Sequence, residues 1–107
     1  MGRSYLGEFE ELVLLTVAVL ENAYGLTIVS ELNERTSRTI SLSGVHIALY
    51  RLEEKGLLIS ELGGATASRG GRRKRIFSIT AAGRQALADI NQIRNELFNA
   101  IPSLTSL

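Results

Sequence analysis

"SLSGVHIALYRLEEKGLLISEL", residues 41–62, changes its hydrophobic period at Gly56. Before the glycine, Val45, Ala48, Leu49 and Leu52 recur at three- and four-residue spacing, the signature of one buried helical face. After it, "LLISEL" is a short apolar run of the kind that forms a strand. Ser41 is a suitable N-cap, because its hydroxyl is able to accept a backbone N–H of the first turn. Gly56 supplies the stop, since glycine takes the left-handed C-terminal conformation at little cost. A helix of about 42–55 therefore runs into a strand. Downstream, "KRIFSIT" (74–80) is a second strand, and the two pair as a β-hairpin with a loop of roughly 63–73. Ile76 and Ile79 flank Phe77, so alternation alone does not choose the inward set of the second strand.

Upstream, Phe9, Leu12, Val13, Thr16, Val17 and Leu20 follow the spacing of one helical face over about 8–21, and Glu8, Glu10 and Glu11 suit a helix N-terminus. Leu14, Leu15, Ala18 and Val19 extend the apolar surface nearly all round. Such a helix needs cover on several sides, part of it from a second subunit. Asn22 to Gly25 breaks the pattern, and Ile28, Val29 and Leu32 mark a shorter helix of about 25–37. At the other end Thr80 caps a last helix bearing Leu87, Ile90, Ile93, Leu97, Phe98 and Ile101, which stops at Pro102. Nothing left in the chain covers that stripe fully, so it reads as a dimer contact.

The order helix, helix, helix, hairpin, helix is that of an α+β, mostly α, winged helix-turn-helix. Residues 1–80 form its DNA-binding unit, 81–101 a C-terminal dimerisation helix and 102–107 a tail. The 107 residues carry a net charge of +1, but unevenly: residues 1–61 hold nine acids and five bases, and residues 62–107 two acids and seven bases. The cations concentrate in "RGGRRKR" (69–75), five in seven positions, where Gly70 and Gly71 allow close backbone approach to a phosphate. Alone, such a run is most simply a solvated loop. On a hairpin tip beside a helix-turn-helix, Arg69, Arg72, Arg73 and Lys74 favour double-stranded DNA. Arg75, inside the strand, is also able to pair with an acid of its own subunit.

With Val45 inward, Ser43, Ile47, Tyr50 and Glu54 point roughly opposite, Arg51 and Gly44 lie on one flank and His46 on the other. That face offers donors for phosphates and base edges: Arg51 for guanine, Tyr50 for a phosphate, Ile47 for a thymine methyl. Its alternative is a plain solvated face. Gly44 reflects either close approach to DNA or mere tolerance. His46 has two readings, a DNA contact or a helix-edge side chain packed on the second helix.

Other chemistries are poorly served. There is no cysteine and a single histidine, which leaves no thiol nucleophile and no histidine-cluster metal site. No G-x-S-x-G elbow is present, so no enzyme and no cofactor are expected. The longest apolar run, Leu12 to Leu20, is about half the roughly 20 residues that span a bilayer. With no export signal, a cytoplasmic protein without a membrane partner is the expectation.

"LGEFEELVLL" (6–15), "AYGLTIVSELNERT" (23–36), "SLSGVHIALYRLEEKGLL" (41–58) and "RGGRRKRIFSITAAGRQAL" (69–87) together resemble the PadR-like transcriptional regulators, in their compact form with a single C-terminal helix. The resemblance implies a homodimeric DNA-binding repressor. Its third helix would enter the major groove through Ser41, Ser43, Gly44, His46, Ile47, Tyr50 and Arg51, with the wing on the backbone or minor groove. First and last helices usually make the dimer in such proteins, here Phe9, Leu12, Val13 and Thr16 with the stripe from Leu87 to Ile101. Half-sites of a palindromic operator would lie about one helical turn apart. Some relatives admit an apolar effector at the interface, where Tyr5, Phe9 and Phe98 would lie; core packing is the simpler role for these rings. This chain has His46 where the family usually has Tyr, Ser43-Gly44 for a frequent Gly-Ala, and Tyr50 at a commonly polar place, departures that bear on the target sequence. A winged helix acting as a protein-interaction adaptor is the competing function, because fold does not determine function.

Overall fold

The computed structural model describes residues 6–63 and 74–102. Its elements are α1 (Glu8–Val19), α2 (Gly25–Thr36), α3 (Leu42–Glu54), β1 (Leu58–Leu62), β2 (Arg75–Ile79) and α4 (Ala81–Asn99). The two strands form one antiparallel sheet in which Leu58 pairs with Ile79 and Leu62 with Arg75. This is a mostly helical α+β winged helix-turn-helix. Among the described residues no helix is long and apolar enough to cross a membrane.

The core is built where the helical stripes converge. Val13, Leu14 and Val17 of α1 meet Ile28 and Leu32 of α2, and Val45, Ala48, Leu49 and Leu52 of α3; Leu57, Leu58 and Phe77 close it from the sheet side. Burying a side chain of this size contributes roughly 1.5–3 kcal/mol. Thr16 is buried among them, and its hydroxyl donates to the Leu12 carbonyl at 2.7 Å, so that hydroxyl is not stranded. Phe77 settles the inward set of β2: it is buried, while Ile76 and Ile79 are only half-buried.

Helix ends follow local chemistry. Ser41 Oγ accepts Gly44 N–H at 3.0 Å and Thr80 Oγ1 accepts Gly83 N–H at 3.0 Å, both as N-caps. Gly56, just past the C-cap of α3, has φ +79°. α1 ends at Val19, short of residue 21, because the chain turns extended at Leu20 and Ala23 bridges to Phe77, whose N–H donates to the Ala23 carbonyl at 2.8 Å. The α1–α2 connection is thus a short third rung on the wing sheet. Between α2 and α3, Ser37 is left-handed and Asn33 Oδ1 accepts Ile40 N–H at 2.8 Å.

Three acids in the first turn of α1 each hold a cation from another element. Glu8 binds Arg38 in the α2–α3 turn at 2.6 Å, Glu10 binds Lys55 at the end of α3 at 2.6 Å, and Glu11 binds Arg94 of α4 at 2.7 Å. α4 itself leaves the core early. Its Gly83 is buried, Ala86, Leu87 and Ile90 are half-buried, and every residue from Asn91 to Pro102 is exposed.

Candidate nucleic-acid interface

The same periodicity that buries Val45 to Leu52 turns the opposite side of α3 outward. Ile47 is 56% and Tyr50 57% exposed, and Ser41, Ser43 and Arg51 are also open to solvent. Ile47, Tyr50 and Arg51 line a shallow groove with Glu53 and Glu54. An apolar side chain, a phenol and a guanidinium on one exposed helical face can serve a methyl group, a phosphate and a base edge. Gly44 is half-buried, and a Cβ there would meet its own N-cap, Ser41 Oγ, at 3.0 Å. Cap geometry therefore accounts for this glycine without any ligand.

His46 sits in the α2–α3 seam. A Cβ on Gly25, the first residue of α2, would come within 3.0 Å of His46 Nε2 and 2.9 Å of Leu42 Cδ1. Absence of a side chain at position 25 lets the imidazole pack there. Its Nδ1 is sealed from solvent and has no hydrogen-bond partner among the described residues. Its ring stacks on Tyr50, with centroids 6.2 Å apart and planes at 25°. Of the two readings of His46, the geometry matches the packed one: the ring braces Tyr50 and presents only a partial edge outward. Gly25 and Tyr24 escaped the sequence reading, where they counted only as a break between helices; an aromatic-glycine pair at a helix start was the available signal.

In the wing, Lys74 is exposed and its Nζ stands 4.7 Å from the centre of the Tyr24 ring, a cation–π contact. Arg75 Nη1 donates to Ser60 Oγ at 3.0 Å, and Ser60 Oγ donates to Glu53 Oε2 at 2.8 Å. Arg69, Gly70, Gly71, Arg72 and Arg73 lie outside the described residues, as does Tyr5.

The expected dimer residues divide into three groups. Val13 and Thr16 are buried inside the protomer, so they have no surface to give a partner; this corrects the expectation of direct contact. Phe9, Leu12, Leu87 and Ile90 are half-buried. Ile93 (56%), Leu97 (66%), Phe98 (60%) and Ile101 (47%) are open, as are Leu15 and Val19 of α1. Leu15 and Val19 follow Glu11 at four-residue steps, on the stripe of α1 that receives Arg94 of α4.

Three packed helices, a capped outward-facing third helix and a hairpin tied to it define the winged helix-turn-helix class of DNA-binding proteins. Within that class, the chain belongs to the PadR-like family of transcriptional regulators, whose family model matches residues 14–89. The family is one of regulators, not enzymes. Similar solved structures include a PadR family transcription regulator from Clostridium difficile R20291, with 25% identity, a TM-score of 0.74 and coverage of 89% of this chain and 95% of that one. A PadR family transcriptional regulator from Eggerthella lenta shares 25% identity, with a TM-score of 0.70 and coverage of 92% and 87%. Bacillus subtilis PadR in complex with operator DNA is similar in fold, with 18% identity, a TM-score of 0.66 and coverage of 77% of this chain but 45% of that one. No curated protein matches the chain.

Proposed function

We propose that this protein is a cytoplasmic, homodimeric repressor that reads a palindromic operator with α3 in the major groove and the basic wing on the backbone or minor groove. The observation that carries the proposal is the two-sidedness of α3: Val45, Ala48, Leu49 and Leu52 are buried, whereas Ser43, Ile47, Tyr50 and Arg51 are exposed together. Family membership supports it, and so does the operator complex of the Bacillus subtilis relative. Residues 1–80 act as the DNA-binding unit and 81–101 as the dimer arm. The open stripe from Ile93 to Ile101, continued by Leu15 and Val19, is the surface a second copy covers.

Fluorescence anisotropy with the DNA upstream of the protein's own gene tests this reading. Binding in the nanomolar range, with log affinity falling linearly against log salt, is the expected result. Retention of an acidic protein and no DNA at moderate salt would instead establish the adaptor function. A small apolar effector at the dimer junction, near Phe9 and Phe98, belongs to the same proposal, and thermal-shift screening of apolar compounds tests it.

A further inference from the structure

We infer that Arg75 and Ser60 are positioning residues that set the angle of the wing against the recognition helix, and that Arg75 is not a phosphate contact although it ends the basic run. The inference deepens the DNA-binding reading and rests on it. Two hydrogen bonds in series carry it. Arg75 Nη1 donates to Ser60 Oγ at 3.0 Å, and Ser60 Oγ spends its only proton on Glu53 Oε2 at 2.8 Å. Each partner's charge orients the hydroxyl in the same sense, the guanidinium toward its lone pair and the carboxylate toward its hydrogen. The chain cation, hydroxyl, carboxylate thus spans β2, β1 and the last turn of α3.

Its place in the fold gives it leverage. Arg75 faces Leu62 in the last strand pair, and Gly63 N–H donates to the Lys74 carbonyl just beyond. Residues 64–73 depart from that point, so the relay holds the root of the segment that carries Arg69, Arg72 and Arg73. Glu53 belongs to the same α3 turn as Tyr50 and Arg51 and lines their groove. A rotation of the hairpin against α3 would therefore have to break the bond from Ser60 to Glu53, whose hydroxyl donor Arg75 holds in place from within the hairpin. Glu53 also gains a role: an acid beside a phosphate-facing groove is unfavourable unless its charge is engaged, and Ser60 relays Arg75 to it.

The test uses the full-length chain, a labelled duplex of its upstream DNA and a random duplex of equal length, with Ser60→Ala, Ser60→Thr and Arg75→Ala. Ser60→Ala is expected to weaken specific binding by roughly three- to tenfold, the effect of losing hydrogen bonds of this kind, with an unchanged salt slope. Ser60→Thr keeps a hydroxyl and is expected to restore affinity. Arg75→Ala is expected to match Ser60→Ala, and the double variant to be no worse than either. In the free protein, nitrogen-detected NMR should show a slowly exchanging Arg75 guanidinium that Ser60→Ala abolishes. A salt slope lowered by about 0.9 in Arg75→Ala would make Arg75 a phosphate contact and overturn the inference. Unchanged affinity in Ser60→Ala would overturn it as well. Failure of the wild type to bind either duplex sinks the DNA reading and the positioning role with it, a result distinct from both of these.

Discussion

Glu11 of α1 and Arg94 of α4, 83 positions apart in the chain, meet at 2.7 Å. The glutamate side chain is only 14% exposed and the arginine 63%, so the contact is a half-solvated pair anchored on the α1 side. It also ties the outer half of α4 to α1, although every residue from Asn91 to Pro102 is exposed. α4 is thereby aimed away from the core with its apolar stripe open.

On the dimer reading, Leu97→Glu combined with Phe98→Glu yields a monomer by sedimentation velocity. DNA affinity should then fall by roughly 10²-fold or more, since two linked half-site contacts become one. Arg94→Ala is the milder change, costing about 0.2–1 kcal/mol of stability. A double variant that keeps the wild-type mass would show that another face makes the dimer.

Recognition helix and wing should separate in competition assays. Arg51→Ala is expected to cost about 1–3 kcal/mol on the operator and to relax the preference at one base pair. Replacing Arg72, Arg73 and Lys74 with Ala should weaken operator and random DNA alike and reduce the salt slope by about 0.9 per lost contact. Equal slopes for wild type and triple variant would remove the wing from the interface.

Steric room separates the glycines. A Cβ at Gly83 would lie 2.4 Å from the Leu57 carbonyl oxygen and 2.7 Å from Ile79 Cγ1, and a backbone atom cannot swing aside. Gly83→Ala should cost about 1–3 kcal/mol, which lowers Tm by roughly 4–8 °C per kcal/mol in a domain of this size. At Gly25 the obstacles are the ends of Leu42 and His46, so Gly25→Ala should cost less stability but disturb the ring that braces Tyr50, and show mainly in DNA affinity. Gly7, with nothing within 4 Å of a Cβ, is the neutral control. Thermal melts of the three variants give the order.

The hydrogen bond from Arg38, aided by its charge and that of Arg94, holds the Glu8 carboxyl below its ordinary value of 4.5. A carboxyl depressed in the folded state contributes stability that is present above the unfolded value and lost as pH falls through the folded one. Glu8→Gln should therefore lower Tm slightly at neutral pH and leave it equal to wild type once the pH is well below 4.5. Parallel melting curves for the two proteins across the acid range would rule out the contribution.

Local signals in the chain were strong where one residue decides the structure. Ser41 and Thr80 as caps, Gly56 as a stop and the stripe Val45, Ala48, Leu49, Leu52 all follow from nearest-turn chemistry and are all present. What escaped depends on contacts between distant segments. Periodicity put Val13 and Thr16 on one face of α1 and Leu15 and Val19 off it, but with apolar residues nearly all round it could not tell that the first face packs on the protomer's own core and the second stays open. His46 needed Gly25 beside it before its side of the helix had a meaning. Likewise the bond from Ser60 to Glu53 joins residues whose spacing matches neither helix nor strand period.

The acidic first turn of α1 engages three cations of the described residues, Arg38, Lys55 and Arg94, and Glu31 of α2 engages Arg35. Among the described residues, Arg51, Lys74, Arg75 and Arg84 do not lie within ion-pair distance of a glutamate. Arg51 and Lys74 are among those still without a carboxylate. A salt titration consequently reads two processes at once: counterions leaving DNA, and ion pairs loosening within the scaffold that aims α3 and α4. Only slope differences between variants that share this scaffold isolate the first.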